Sequence, residues 1–215
     1  MKADEPQGER PPADDGFARA ANDAFVSSVA SGDVVLFGEP TGQPVVLESW
    51  NPVWKDEFEE LKSRLAAALG PVAVRIDHIG STAVPGLEAK PTIDIQVSVP
   101  DVDAEDGFRP AIESLGFPMR SREAGHRYFR TPKGSSRRVH IHVCSIASEW
   151  ERDHLLFRDY LRAHPAIARQ YASLKRELQM RYADNRIAYT EAKSPFIRAV
   201  VADAESWAKQ SGWQP

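Results

Sequence analysis

Eight consecutive residues, Thr92-Ile93-Asp94-Ile95-Gln96-Val97-Ser98-Val99, alternate polar and apolar side chains without interruption. Period-two alternation commits the segment to a β-strand with one apolar and one polar face. Pro100 ends it. The polar face carries a single carboxylate, Asp94. Upstream, residues 72–79 are also β-like and close on Gly80-Ser81. Residues 82–91 hold Pro85, Gly86 and Pro91, too many breakers for a long helix. Two strands joined by an irregular segment that opens on Gly-Ser are thus the frame for the rest of the chain.

Before this frame, Trp54, Phe58, Leu61, Leu65 and Leu69 repeat at 4-3-4-4 spacing and predict one face of a helix, stopped by Gly70-Pro71. After it, a short helix is expected around 108–115. A hairpin follows, with arms 127–131 and 137–144 around Pro132-Lys133-Gly134. Its second arm sets Val139, Ile141 and Val143 against His140, His142 and Cys144. From Glu149 onward three helices are expected. The first carries Leu155, Leu156 and Tyr160 and breaks before Pro165. The second carries Ile167, Tyr171, Leu174, Leu178 and Tyr182. The third, after Pro195, carries Phe196, Val200, Ala204 and Trp207. The fold class is therefore α+β or mixed α/β: a small sheet, flanking helices and a helical C-terminal part.

The first 44 residues read differently. Residues 1–16 are proline-rich and charged, with no aromatic, and are expected to form a disordered, dispensable tail. Residues 17–44 form an N-terminal extension with a short helix over 17–30. A hairpin is expected there from Val34–Phe37, a turn over 38–43, and Val45–Leu47. The main domain spans 45–208, and 209–215 is a short C-terminal tail.

Composition bounds the function. The 215 residues carry 27 Lys+Arg and 31 Asp+Glu, a formal net charge of −4, so nucleic acid is not indicated as a partner by net charge. The one cysteine, Cys144, rules out an intramolecular disulfide and a thiolate zinc site. The N-terminus has no apolar signal region and no run approaches membrane-span length, so the expected location is the cytoplasm, with no membrane partner.

The stretch from Ile76 to Ile95 carries the most chemistry. A glycine after a strand lets backbone approach a ligand, and the neighbouring serine adds a hydroxyl and an N–H suited to phosphate. Asp94, lone on its polar face, suits a hard divalent cation held with phosphate. The bland alternative is a tight turn and a solvated strand aspartate.

This arrangement resembles the signature of the polymerase-β-like nucleotidyltransferase superfamily: a hydrophobic residue, Gly, Gly or Ser, a spacer, then a carboxylate on an alternating strand. The longer run His78-Ile79-Gly80-Ser81-Thr82-Ala83-Val84-Pro85-Gly86-Leu87-Glu88-Ala89-Lys90-Pro91-Thr92-Ile93-Asp94-Ile95 looks like the characteristic block of the GrpB family. His140-Ile141-His142-Val143, Phe157 to Arg162 with His164-Pro165, Tyr171 with Leu174-Lys175, and Tyr189-Thr190 with Lys193 extend the likeness. The resemblance implies a nucleotidyltransferase-like mixed sheet, an NTP substrate, a divalent metal and an unknown acceptor. Similar domains are fused to some dephospho-CoA kinases, which implies a functional link to that enzyme.

One position departs from the superfamily pattern. The second carboxylate, two residues after the first, is replaced by Gln96, and Asp94 alone cannot hold two metal ions. His140 and His142, at i and i+2, face the same way and can take over as ligands or as acid/base. The alternative is a pair of polar-face histidines that satisfy hydrogen bonds or bind phosphate. The expected catalytic and metal set is therefore Asp94, His140 and His142, taking Mg2+ or Mn2+, with Zn2+ an option. Loss of metal is expected near pH 6 as the histidines protonate.

The phosphate-binding set is His78, Gly80, Ser81, Lys90, Arg158 and Arg162. Each has a structural alternative: a buried hydrogen-bonded ring for His78, a surface charge for Lys90. Arg158 and Arg162 project together from one helix, and Asp159 is expected not to pair with both. Lys175, Tyr189 and Lys193 are secondary candidates. Arg127, Arg130, Lys133, Arg137 and Arg138 crowd the hairpin, either for polyphosphate or RNA or for solubility and edge protection. The tryptophans are read as packing. The functional reading is nucleotidyl transfer from an NTP. Its alternative is an inactive accessory domain that binds a nucleotide or a CoA-like ligand.

Overall fold

The computed structural model describes residues 34–36 (backbone only), 44–135 and 138–215. The expected tail over 1–16, the helix over 17–30, the turn over 38–43 and Arg137 lie outside them. Chain order is β1 (Val34–Leu36), α1 (Val53–Leu69), β2 (Arg75–Ile79), β3 (Thr92–Val99), α2 (Arg109–Ser114), β4 (Met119–Glu123), β5 (His126–Arg130), β6 (Arg138–Ser145), α3 (Glu149–Ala163), α4 (Pro165–Arg181), α5 (Arg186–Glu191) and α6 (Ser194–Ser211).

The six strands form one sheet in the order β1-β4-β5-β6-β3-β2. β3 and β6 run parallel, and the other neighbours are antiparallel. This is the mixed sheet with flanking helices and helical C-terminal part that the residue pattern predicts. Alternation decides its faces. Ile93, Ile95, Val97, Val99, Phe129, Val139, Ile141 and Val143 point one way and are buried against the 4-3-4-4 stripe of α1 and against Phe108 and Ile112. Each such large apolar side chain contributes about 1.5–3 kcal/mol through burial. The other face collects the polar partners of the alternation. Register aligns Asp94 with Ile79 and His140, and Gln96 with Asp77 and His142.

A second apolar cluster joins α3, α4 and α6 through Leu156, Leu161, Tyr171, Val200 and Ala204, and it includes Val84 and Leu87 of the irregular segment. Ser148 caps α3 by accepting from Glu151 N, and Pro165 at the first position of α4 forces the break between α3 and α4. The Gly80–Leu87 segment is therefore clamped between the sheet and the helical part.

Several elements differ from expectation. Val45–Leu47 is not a strand, because β1 pairs with β4 instead of forming a hairpin with it. Val45 is buried among Leu178, Tyr182 and Tyr189, and Glu48 bridges Ala89. β4 was not expected, since its sequence MRSRE shows little strand character. A fourth C-terminal helix, α5, precedes α6. The last residues are docked: α6 runs to Ser211, and Trp213 Nε1 donates to Asp159 Oδ2 at 3.2 Å.

The basic residues of the hairpin do not lie at a sheet edge. β5 and β6 are interior strands of the sheet, so their charges protect no edge. Arg127 is 4% exposed. It donates to Glu105 and, at 2.6 Å, to Asp103 Oδ1, which makes it a structural cation.

Candidate functional site

Asp94 sits near the start of β3, opposite His140 of β6 in direct register. His140 Nδ1 lies 2.9 Å from Asp94 Oδ1, and His142 Nε2 lies 3.9 Å from the same oxygen. The three residues bring ligand-type atoms within 4.8 Å of one another, and all are half-buried. Burial is the largest influence on the Asp94 carboxyl and works to raise it. The hydrogen bond from His140 and the proximity of His142 outweigh that and hold it well below the usual carboxylate range. An ionised carboxylate cannot donate, so His140 donates through Nδ1 and keeps the Nε2 lone pair open. Burial lowers both histidines, His142 to about 4. His142 therefore stays a neutral imidazole at neutral and mildly acidic pH, and burial favours the neutral form of His140 as well.

A ring of aromatic side chains fixes the histidines. His126 Nε2 lies 3.0 Å from His142 Nδ1. Trp150 stacks on His126 and His142 with centroid separations of 4.6 and 5.4 Å. Tyr128 meets His140 edge-on at 5.3 Å. Trp150 is thus more than core packing, and His126 was invisible as a site residue because its own strand is charged and irregular. Gln96, two residues beyond Asp94, is completely buried, and both its amide atoms lack a hydrogen-bond partner. No second carboxylate joins Asp94, His140 and His142 in this cluster among the described residues.

Gly80 has φ +70° and ψ −172°, a conformation essentially reserved for glycine. It leads into the short 3-10 turn Ser81–Ala83. Lys175, 2% exposed, donates from Nζ to Ser81 Oγ at 3.1 Å and to the Glu88 carbonyl. Two more ammonium groups lie over the Tyr189 ring, Lys90 at 5.3 Å and Lys193 at 4.8 Å from its centroid. Burial first, and then repulsion from neighbouring lysines, lowers Lys90 and Lys175 to about 7, and burial lowers Lys193 to about 8. Arg186 adds to the repulsion on Lys90 and Lys193, whereas the Asp94 charge favours their protonated forms. The turn, the carboxylate and the lysines thus form one electrostatically coupled region. Lys175, Tyr189 and Lys193, secondary in the sequence, are central to it.

The remaining candidates are held elsewhere. His78 is buried, stacks on Phe58 at 4.7 Å and bonds Thr82 Oγ1 at 2.9 Å. It projects from the apolar face, away from Asp94, and burial pushes it down to about 4. Arg158 binds the His78 carbonyl at 3.1 Å, and Arg162 grips the Ala83 carbonyl at 3.0 and 2.8 Å. Asp159 Oδ1 accepts from both, at 2.8 and 3.0 Å, because the two long side chains fold back toward it. The arginines brace the turn from behind.

Residues 44–203 match the family described as GrpB protein, and the chain belongs to that family. A crystal structure of conserved protein GrpB from Enterococcus faecalis superposes with a TM-score of 0.68 at 32% identity, covering 75% of this chain and 99% of that one. The UPF0157 protein YqkA of Bacillus subtilis is 37% identical over 163 residues, 74% of this chain and 47% of its own. A dephospho-CoA kinase of Mycobacterium bovis is 31% identical over 199 residues, 80% of this chain and 49% of its own. The chain spans about half the length of these two curated relatives.

Proposed function

We propose that the Asp94 region transfers a nucleotidyl group from a nucleoside triphosphate to an acceptor, with one divalent cation. The observation that carries this reading is the coupling of a carboxylate–imidazole cluster to three desolvated lysines across a glycine turn. A site that crowds ammonium groups until burial and repulsion depress them is built to receive a polyanion.

The donor set fits a single metal ion. One carboxylate and two neutral imidazoles suit Mn2+ or Zn2+ better than Mg2+, and a two-metal cluster would need more carboxylates than the cluster contains. Asp94, His140 and His142 would hold the ion, which would polarise a phosphoryl oxygen and so activate the phosphorus that the acceptor attacks. Gly80 and Ser81 would cradle the triphosphate by backbone and hydroxyl. Lys90, Lys175 and Lys193 would neutralise it. If one of the histidines does not ligate the ion, its open nitrogen would take the acceptor's proton. Arg158, Arg162 and His78 would support the turn rather than touch phosphate. A cytoplasmic location belongs to the same proposal; among the described residues no helix is long and apolar enough to cross a membrane.

A second reading has one specific observation behind it: the neutral Gln96 where a second carboxylate is expected. On that reading the domain binds a nucleotide or CoA-like ligand without turnover, beside an enzyme such as a dephospho-CoA kinase. Incubation with each α-labelled NTP and Mn2+ or Mg2+, scored for pyrophosphate and for label on protein, RNA and small molecules, separates the two. Transfer predicts pyrophosphate release that Asp94→Asn abolishes. Saturable nucleotide binding without pyrophosphate supports the accessory domain.

A further inference from the structure

Beside the Gly80–Ser81 turn lies a cavity of about 750 Å3, within the size range of small-molecule sites. It opens between α1, the 82–87 segment and the α3–α4 junction, where the two main apolar clusters meet. Trp50, Phe58, Leu87, Leu161 and Ala172 give it apolar walls.

The polar groups in its floor are already committed. Thr82 Oγ1 donates to the Thr92 carbonyl at 3.0 Å and therefore accepts from His78 Nε2 at 2.9 Å. Trp50 Nε1 donates to the Thr82 carbonyl at 3.2 Å. An occupant consequently meets an inner surface that rewards apolar contact.

The lining is charged differently where it reaches solvent. Lys55, Arg162 and Arg169 contribute three cations against one anion, Glu59. Arg162 is occupied by Ala83 and Asp159. The exposed Lys55 and Arg169 form no ion pair among the described residues.

We propose that this cavity binds a small organic acid with an apolar body, the body inside and the carboxylate between Lys55 and Arg169. Such a molecule satisfies both halves of the site: dry walls and an excess of positive charge at the rim. It would sit against Thr82, whose bond to Thr92 ties the cavity floor to the strand that carries Asp94.

Sodium octanoate is a suitable probe, with 1-octanol as its neutral counterpart. The Trp50 Nε1–H signal in a 15N-correlated NMR spectrum reports occupancy from inside the cavity. Octanoate should shift it saturably in the millimolar range. Binding should be roughly fivefold weaker for 1-octanol and for octanoate with the Lys55→Gln, Arg169→Gln variant, as expected for exposed charge contacts. Ala168→Trp, which fills the cavity from a half-buried position, should remove the shift while the thermal midpoint is kept. Absence of a saturable shift with octanoate overturns the proposal. Equal affinity for octanoate and 1-octanol, or no loss in the double variant, overturns the assignment of an acid.

Discussion

Gly80 packs so closely against Asp94 that a Cβ at residue 80 would stand 2.5 Å from Asp94 Oδ2 and 3.1 Å from its Cβ. The glycine of the turn and the carboxylate of the strand are one unit. With a side chain at residue 80, the carboxylate or the turn has to shift, and the positive φ adds strain of about 1–3 kcal/mol.

Gly80→Ala should therefore lower the thermal midpoint modestly and weaken divalent-cation and triphosphate binding together. Calorimetry on the folded variant checks this. Unchanged binding of both would show that the turn does not set the position of Asp94.

The lysine cluster predicts an inverted pH profile for triphosphate binding. Lys90 and Lys175 near 7 and Lys193 near 8 are largely protonated only at the acid end of that range. A bound polyanion favours the charged forms, so binding takes up protons and affinity falls as pH rises from 7 to 9. Lys175→Met should weaken triphosphate binding about tenfold to a hundredfold, the worth of one charge-assisted bond. Titrations in buffers of different ionisation enthalpy measure the proton uptake. Proton release on binding would contradict the assignment.

Stability should fall with acid before the carboxylates titrate. His78 and His142 lie near 4 in the folded chain against 6.5 unfolded. The unfolded chain then binds more protons between those values, so stability is lost as pH drops from about 6.5 to about 4 and the histidine contribution levels off below that. His78→Gln keeps a donor for Thr82 and removes one titrating ring, and should flatten the slope. Urea unfolding at pH 7 and 4.5 tests it, and identical slopes in both proteins would count against the buried-histidine account.

Gln96 offers a gain of function. Gln96→Glu restores a carboxylate beside Asp94 in a buried place where nothing else pairs with it. The variant should be less stable than wild type in EDTA and should gain more thermal stability from Mg2+ or Mn2+. Equal metal-induced shifts in the two proteins would show that residue 96 does not face the ion.

Most strands and the grouping of Asp94, His140 and His142 were legible because alternation at period two fixes which side chains share a face, and the three residues each alternate with Ile or Val. The long helices were legible from their stripes. β4 was hidden because it pairs between two other strands while carrying two arginines and a glutamate. The same blindness made Arg127 look like a surface charge, since Glu105 and Asp103, its partners, lie on a distant loop. The lysine cluster was only half visible: Lys90, Lys175 and Lys193 lie far apart in sequence, and only the folding of α4 and the α5–α6 junction over the turn brings them together. The expected loss of metal near pH 6 also shifts, since burial lowers both histidines and moves proton competition toward lower pH.

The central claim is that Asp94, His140 and His142 hold one divalent ion. Calorimetric titration of Mn2+, Zn2+ and Mg2+ into wild type and into the folded His140→Ala, His142→Ala variant tests it most directly. The account predicts tighter binding of Mn2+ and Zn2+ than of Mg2+ to wild type, and loss of that preference in the variant. Equal binding of all three ions by both proteins would contradict it and leave the histidines as structural partners of a lone carboxylate.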